Sequence, residues 1–393
     1  MLKGKGDHMK LSELVLSANT GADAIKRAPI VTEDTGLRCL RIGDVSQKRP
    51  YSEWGFTRTT EDDYKRYRLE VDDIIIARTG NTIGVNCIIS EDRESVYNNG
   101  LIRIKANTSL VYPKYLWYII SGKGCQDYIQ SIAFATSTQP NMKINDFLRY
   151  SFDCQEMSVQ KKIIEVIDPI DKKIAVNEEI SEILLRQAHQ IYLDFLQSND
   201  FTEVSFVDGC FGKPIKPGIK HFEGRKIYIA TADVNKLMIT NKSTEVTYEN
   251  RPSRANMQPR EWSAWFAKMK DSRKLIFIDN NADALCKNYV FSTGFYGLDI
   301  KPEYFYYIWA FMSSDEFDGM KNLYCNGTTM QAINNDGVKR ITLKKPDSEA
   351  LIVFNNKIAP IYNAIRAIAE ENEQLSALRN YLLPQLLAGK LEV

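Results

Sequence analysis

Two polar stretches decide the fold: CNGTTMQAINND at residues 325–336 and FATSTQPNMKIND at residues 134–146. Each places threonine and glutamine side chains ahead of an Ile-Asn sequence that ends in aspartate, Ile144–Asp146 in the first and Ile333–Asp336 in the second. The two stretches lie close to half of the 393-residue chain apart. A repeat at this spacing predicts that the chain contains two copies of one structural plan.

Further segments recur in the same order on both sides of these stretches. The matched pairs are Leu11–Leu14 with Val204–Val207, Arg38–Val45 with Ile227–Val234, Asp73–Ala77 with Lys274–Ile278, Pro113–Ile119 with Pro302–Ile308, and Arg149–Phe152 with Arg340–Leu343. The second pair alternates as strands do, the third is the continuous apolar run of a buried strand, and the fourth is an aromatic-rich helix that starts at a proline. The third pair leads into polar loops that we interpret as equivalent, Arg78–Gly84 and Asp279–Asn281.

The composition is that of an ordinary globular protein, with 44% hydrophobic and 26% charged residues. The length suffices for two domains that each bury a core. We expect no membrane span, because no apolar run reaches 18 residues, and a cytoplasmic location, because the N-terminus lacks the apolar region of a signal peptide. The seven cysteines form no Cys-x-x-Cys pair and there are three histidines, so we predict no metal site.

Each half ends in a long segment with apolar residues spaced by three and four positions, from Ile163 to Phe195 and from Ile358 to Leu386. This is the heptad pattern of a coiled coil. One asparagine interrupts each pattern, Asn177 and Asn372, and we predict that these two residues fix the register of the helices.

Prolines at equivalent places, Pro169 and Pro360, predict that each long helix kinks or restarts there. Two matching patterns in one chain favour two helices packed together, mostly antiparallel, whereas the alternative is burial of each helix on its own domain. A helix from Pro169 to Gln197 extends about 43 Å, and one turn of B-DNA is roughly 34 Å long. The sequence therefore predicts a mixed α/β fold in which two similar globular domains, in a pseudo-two-fold arrangement, are separated by two long antiparallel coiled-coil helices.

Basic residues cluster in both halves although the net charge is only +1. The segment 251–274 holds seven basic and two acidic residues, with Trp262, Trp265 and Phe266 among them. Local basic patches are typical of phosphate contact, and the alternative is an ordinary solvated face. Our candidates for DNA phosphate contact are Lys48, Arg49, Arg58, Arg251, Arg254, Arg260, Lys268 and Lys270.

Taken together, the chain resembles the specificity subunits of Type I restriction–modification systems over essentially its whole length. The resemblance is carried by the two variable halves, by Leu40–Val45, by the paired loops before Asn145-Asp146 and Asn335-Asp336, and by the closing helices with the C-terminal segment Leu378–Leu391. One departure is visible. Many members have a Pro-Leu-x-Glu-Gln turn before each helix, where this chain has Asp153–Met157 and Lys345–Glu349.

The resemblance implies a non-catalytic subunit of a restriction endonuclease and adenine-specific DNA methyltransferase complex. It implies target-recognition domains at 1–152 and 200–344, and spacer helices at 153–199 and 345–393. Its expected partners are double-stranded DNA, two methyltransferase (modification) subunits and motor-nuclease (restriction) subunits. S-adenosylmethionine, ATP and Mg are expected on those partner subunits and no cofactor in this chain.

Asparagine, glutamine, threonine and arginine are the side chains that read base edges, so the paired polar loops predict one half-site per domain. The base-reading candidates are Arg78, Thr79, Asn81, Thr136, Ser137, Thr138 and Gln139 in the first half, and Asn280, Asn281, Asn326, Thr328, Thr329 and Gln331 in the second. Such loops also commonly satisfy only their own backbone. We find no methyltransferase motif, no GxxxxGK[ST] loop and no histidine-centred acid–base constellation, so we predict no catalytic residue.

Two other functions stay open at this point. The chain is alternatively the recognition subunit of a Type II-like restriction or methylation system, or a protein-interaction scaffold that binds no nucleic acid. Salt-sensitive binding to duplex DNA separates both DNA-binding functions from the scaffold.

Overall fold

The structure is a computed structural model that describes residues 7–133, 140–198, 201–207, 209–281, 283–328 and 330–392, with the backbone alone at position 283. The chain divides into two compact units. The first unit is Met1–Ile174 with Gln374–Val393, and the second is Ala175–Glu373.

The first unit is built of short strands and short helices. Its strands are β1 (Asp7–Lys10), β2 (Val15–Thr20), β3 (Ile30–Val31), β4 (Arg38–Leu40), β5 (Gly55–Thr57), β6 (Ile74–Ala77), β7 (Asn86–Ile88), β8 (Ser95–Tyr97), β9 (Leu101–Ala106) and β10 (Ser151–Cys154). Its helices are α1 (Leu11–Leu14), α2 (Ile42–Ser46), α3 (Glu61–Tyr67), α4 (Pro113–Ser121), α5 (Lys123–Ala133), α6 (Ile144–Phe147) and the first part of α7 (Met157–Gln197), with a 3₁₀ turn at Tyr51–Glu53.

Two four-stranded sheets supply buried side chains to the core of this unit. One is antiparallel in the order β2-β9-β6-β7, and the other has the order β3-β5-β4-β8 with β4 and β8 parallel. Successive side chains of a strand point to opposite faces. Accordingly Ile74 and Ile76 pack with Tyr115 of α4, while Ile75 packs with Cys39 of β4. Strand β6 is therefore buried on both faces, as its continuous apolar run predicts.

The second unit follows the same plan with more strands. They are β11 (Thr202–Ser205), β12 (Gly212–Ile215), β13 (Lys226–Ile229), β14 (Val234–Asn235), β15 (Met238–Ile239), β16 (Glu245–Val246), β17 (Ala255–Met257), β18 (Ser263–Ala267), β19 (Leu275–Ile278), β20 (Tyr289–Ser292), β21 (Phe295–Ile300), β22 (Cys325–Asn326), β23 (Ala332–Ile333) and β24 (Thr342–Lys345). Its helices are the rest of α7, then α8 (Asp283–Asn288), α9 (Phe305–Met312), α10 (Asp315–Leu323), α11 (Asn335–Lys339) and the first part of α12 (Ser348–Leu387), with 3₁₀ turns at Thr231–Asp233 and Pro302–Tyr304. The end of α12, from Gln374, belongs to the first unit.

The sheets of the second unit repeat the pairing of the first. The antiparallel sheet has the order β12-β21-β18-β19, and the other has the order β16-β13-β20-β17 with β13 and β20 parallel. Trp265 of β18 lies across Gly297 of β21, where an added Cβ would stand 2.4 Å from the indole ring. Only glycine leaves room for that ring, which packs at the centre of this unit's second apolar cluster.

Strand pairing corrects one of the predicted matches. Strand β6 lies between β9 and β7, and its equivalent between β21 and β19 is β18. The predicted match of Asp73–Ala77 with Lys274–Ile278 is therefore wrong, because β19 corresponds to β7. The error has a physical reason: both strands of the β18–β19 hairpin are apolar, and an apolar run does not reveal which of two paired strands it is.

An aspartate turns the chain at the end of equivalent strands in the two units, β4 in the first and β13 in the second. The predicted strand Arg38–Val45 ends at Leu40, and α2 follows it. The Asp44 carboxylate accepts the backbone N–H of Arg41 at 2.9 Å, and the Asp233 carboxylate accepts that of Ala230 at 2.8 Å. Aspartate at the third position of a helical turn caps its first N–H in this way. The strand prediction failed here because the Asp-Val ending belongs to the turn.

The two long helices run through their prolines. Pro169 lies inside α7 and Pro360 inside α12, so the predicted restart is wrong. An internal proline removes one helical hydrogen bond, and burial of neighbouring apolar side chains in each unit's core offsets that loss. Within the described ranges, no helix combines the length and the apolar character that crossing a membrane requires.

The helices pack against each other within each unit. In the first unit Arg379 of α12 lies 2.9 Å from the Asp171 carboxylate of α7, which also accepts the Tyr118 hydroxyl at 2.8 Å. In the second unit the Asn177 amide donates to the Asn372 amide oxygen at 2.8 Å, and both side chains are buried. The two asparagines interrupting the apolar patterns therefore face one another.

Replacing Asn177 with alanine is expected to lower the free energy of unfolding of the second unit by about 1–3 kcal/mol, because the buried Asn372 oxygen loses its donor. Replacing both asparagines with leucine removes the unpaired group and is expected to recover most of that loss. Urea unfolding of the full chain measures both changes. Glu178→Ala, on the exposed side of the same helix, is the control, and equal losses in it and in Asn177→Ala would contradict a role for the buried pair.

Candidate nucleic-acid interface

A loop of the first unit follows β6 and is joined to the segment before α6. The Met142 N–H donates to the Arg78 carbonyl at 2.8 Å, and the Gly80 N–H donates to the Pro140 carbonyl at 3.1 Å. The Arg78 guanidinium also donates to the Asn141 side-chain oxygen at 3.2 Å. We refer to residues 78–84 and 140–143 as the first loop pair.

A loop of the second unit follows β18 and is joined to the β22–β23 hairpin. The Ile333 N–H donates to the Lys268 carbonyl at 2.9 Å, and the Lys270 N–H donates to the Gln331 carbonyl at 2.9 Å. The Lys321 ammonium holds the same loop from α10 by donating to the Ser272 carbonyl at 2.7 Å. We refer to residues 268–274, 325–328 and 330–333 as the second loop pair.

The two loop pairs are built by the same backbone bonds on equivalent strands. Arg78 therefore corresponds to Lys268, and Pro140 to Gln331. One structural position thus carries a predicted base-reading arginine in the first unit and a predicted phosphate-binding lysine in the second. The repeat in sequence marks this shared frame, whereas the side chains presented by it differ.

The candidates within the loop pairs have the following surroundings. Arg78 and Thr79 are half-buried and Asn81 is exposed; Asn326 and Thr328 are exposed and Gln331 is half-buried. Thr136, Ser137, Thr138, Gln139 and Thr329 lie outside the described residues.

Two candidates lie away from the second loop pair. Asn280 and Asn281 follow Ile278, which pairs with Ser263 at the end of the β18–β19 hairpin opposite to Lys268. Beside them the Asp279 carboxylate accepts the Arg366 guanidinium of α12. The predicted equivalence of Asp279–Asn281 with Arg78–Gly84 is therefore wrong, and it failed with the strand match on which it depended.

The phosphate candidates fall into two groups by their ion pairs. Three arginines already have a carboxylate: Arg49 with Asp44 at 3.4 Å, Arg58 with Glu33 at 2.9 Å and Arg260 with Asp299 at 2.9 Å. The Arg251 guanidinium lies 4.0 Å from the centre of the Tyr248 ring. Within the described residues, five candidates have no ion pair: Lys48, Arg251, Arg254, Lys268 and Lys270.

Lys268 is half-buried and lies near a second cation. Its partial burial, and secondarily the nearby Arg254 guanidinium, lower the pKa of Lys268 below its usual range. Two like charges are thus held close to each other at the base of the second loop pair. An anion at this place favours the charged form of Lys268.

Sequence reasoning missed several side chains beside the first loop pair. Asn141 orients Arg78, and an open depression next to it is lined by Tyr128, Ser131, Lys143, Asp146 and Arg149. The only signal in the sequence was their position on either side of the polar stretch 134–139. Across the described ranges, no group of three or more His, Cys, Asp or Glu side chains is placed to hold a metal ion.

Comparison with known proteins bears on the whole chain. A family model described as the Type I restriction modification DNA specificity domain matches residues 9–186. The Type I restriction enzyme HindI specificity subunit of Haemophilus influenzae is 19% identical, over 80% of this chain and 85% of the relative. The crystal structure of the Type I restriction–modification S subunit from M. genitalium has a TM-score of 0.54 at 13% identity and covers 98% of this chain and 97% of that chain.

Proposed function

Because residues 9–186 match the family model described as the Type I restriction modification DNA specificity domain, we propose that this chain is a Type I specificity subunit that recognises a bipartite DNA target with one half-site per unit. The loop pairs are the reading elements. In the first unit they present Arg78, Thr79 and Asn81, and in the second Asn326, Thr328 and Gln331, while Lys268 and Lys270 hold the phosphate backbone.

One observation carries this proposal: the two loop pairs share a backbone frame but not their side chains. The Met142-to-Arg78 bond recurs as the Ile333-to-Lys268 bond, while the residues on the frame change from Arg and Gly to Lys and Lys. Sequence is read by side chains at base edges, and phosphate contacts fix orientation. Two half-sites of different sequence require different side chains at the same place in each unit. A shared backbone frame that carries different side chains meets this requirement.

The rest of the chain has a separate role in this proposal. Residues 1–152 and 200–344 act as the target-recognition domains, and the helical segments 153–199 and 345–393 dock two methyltransferase subunits. The chain performs no chemistry and takes no cofactor. S-adenosylmethionine belongs to the methyltransferase subunits, and ATP and Mg belong to motor-nuclease subunits where these join.

Co-expression of the full chain with its methyltransferase subunits, followed by sequencing of methylated adenines in the host DNA, tests the proposal. We expect a split motif that depends on this chain. Substitution of Arg78 is expected to alter selectivity at one part of that motif, and substitution of Gln331 at the other. A continuous motif, or methylation that persists without this chain, would show that the proposal is wrong.

A further inference from the structure

The connection between β12 and β13 carries an excess of positive charge that its counterpart in the first unit lacks. Residues 216–225, KPGIKHFEGR, contain three basic residues and one acidic residue. The corresponding connection from β2 to β4, residues 21–37, contains two basic and three acidic residues. The two units therefore differ in charge at the same place in the fold.

This connection is held firmly against the second unit. The Gly218 N–H donates to the Asn256 carbonyl at 2.8 Å, and Gly218 forms a parallel bridge with Met257. At the other end the Lys226 ammonium lies 4.9 Å from the centre of the Phe222 ring, and Phe222 packs on Tyr248. The basic side chains thus project from an ordered backbone.

Two of these side chains are free to bind an anion. Lys216 and Lys220 are exposed, and within the described residues neither has an ion pair or a side-chain hydrogen bond. Arg225, by contrast, pairs with Glu245 at 2.8 Å. Gly218, between the two lysines, has a φ of +141° and open space where a side chain would stand, so a ligand can approach the backbone closely.

A backbone hydrogen bond connects the segment of Lys216 and Lys220 to the segment that carries Arg254. Asn256, which accepts the Gly218 N–H, is two residues from Arg254, and Arg254 acts electrostatically on Lys268. The resulting set, which we name the basic strip, consists of Lys216, Lys220, Arg254, Lys268 and Lys270. Among the described residues, none of its members has an ion pair.

We propose that the basic strip binds the phosphodiester backbone next to the half-site read by the second unit, so that the second unit holds DNA more strongly than the first. This proposal rests on the function proposed above. Lysines are flexible point charges that suit phosphate contact without base selection. The acidic residues of segment 21–37 make the equivalent contact unfavourable in the first unit.

The test is the salt dependence of binding to a fluorescently labelled duplex of random sequence, measured with the full chain. Each phosphate contact adds about 0.9 to the slope of log K against log salt. Lys216→Gln with Lys220→Gln is therefore expected to lower that slope by about 2. The matched control is Lys10→Gln with Lys26→Gln, two exposed lysines of the first unit that also have no ion pair among the described residues, which is expected to leave the slope unchanged.

The outcomes distinguish this inference from the proposed function. If the unaltered chain shows no salt-sensitive binding to duplex DNA, the proposed function fails and the inference with it. If the unaltered chain binds and the Lys216/Lys220 variant keeps its full slope, the inference alone is overturned. An equal loss in the control variant overturns it as well, because the effect would then reflect net charge.

Discussion

Replacing Arg78 with alanine is expected to weaken binding to the specific duplex by about 1–3 kcal/mol, the discrimination that one bidentate base contact provides. The guanidinium is already oriented by its bond to Asn141. Its Nε atom is buried and has no partner among the described residues. Competition between the methylated motif and a random duplex measures the change.

Two variants show whether Arg78 reads bases or only supports the loop. Arg78→Lys keeps the charge but loses the planar fork, so it is expected to retain nonspecific affinity and lose selectivity. Asn141→Ala removes the orienting contact and is expected to produce a smaller loss of selectivity. Arg93→Ala, which removes an exposed arginine of the same unit paired with Glu91, is the control. If Arg78→Lys binds the specific duplex as the unaltered chain does, Arg78 has no base-reading role.

Replacing Trp309 with alanine is expected to destabilise the second unit by about 3–5 kcal/mol, the usual cost of removing a large buried aromatic side chain. Trp309 is only 2% exposed, and its ring packs edge-on against Tyr362 of α12 at 5.5 Å between centroids. The substitution therefore leaves a cavity between α9 and α12. Hydrogen exchange of peptides from Phe305–Met312, compared with peptides from the first unit, locates the loss.

The chain contains a matched control for this substitution. Trp117 lies on α4, the helix equivalent to α9, but it is half-buried and its indole N–H has no partner among the described residues. Trp117→Ala is expected to cost clearly less, since it removes an unpaired buried donor along with the ring. Equal destabilisation by the two substitutions would show that burial in the α9–α12 contact is not the cause.

The order of elements was predictable from the sequence because each repeat has a local physical signal. Pro113 is the first residue of α4 and lies in its first turn, where the missing N–H is harmless. The asparagines at positions 177 and 372 stand out as the polar residues within long apolar patterns, and they meet in the structure. Such signals depend on a residue and its near neighbours, and these are visible in a linear sequence.

The candidate site was less predictable because it depends on strand pairing. Lys268 and Arg78 share a position only because β18 and β6 are each paired on both sides, and an apolar run does not disclose its partners. The hydrogen bonds between Arg78 and Asn141 and between Lys321 and Ser272 join residues that are far apart in the chain. Asn280 and Asn281 were misplaced for the same reason. An amide-rich composition does not show at which end of a hairpin the residues lie.

The backbone bonds that dock each loop pair do not depend on which side chains the loops carry. The Arg78 and Lys268 carbonyls accept equivalent N–H groups, those of Met142 and Ile333, although arginine and lysine differ in shape and chemistry. Substitution at these positions therefore leaves the supporting core and its hydrogen bonds intact. Each unit can therefore carry its own contact surface on an unchanged frame, and a change in what one loop pair contacts needs no rebuilding of the scaffold.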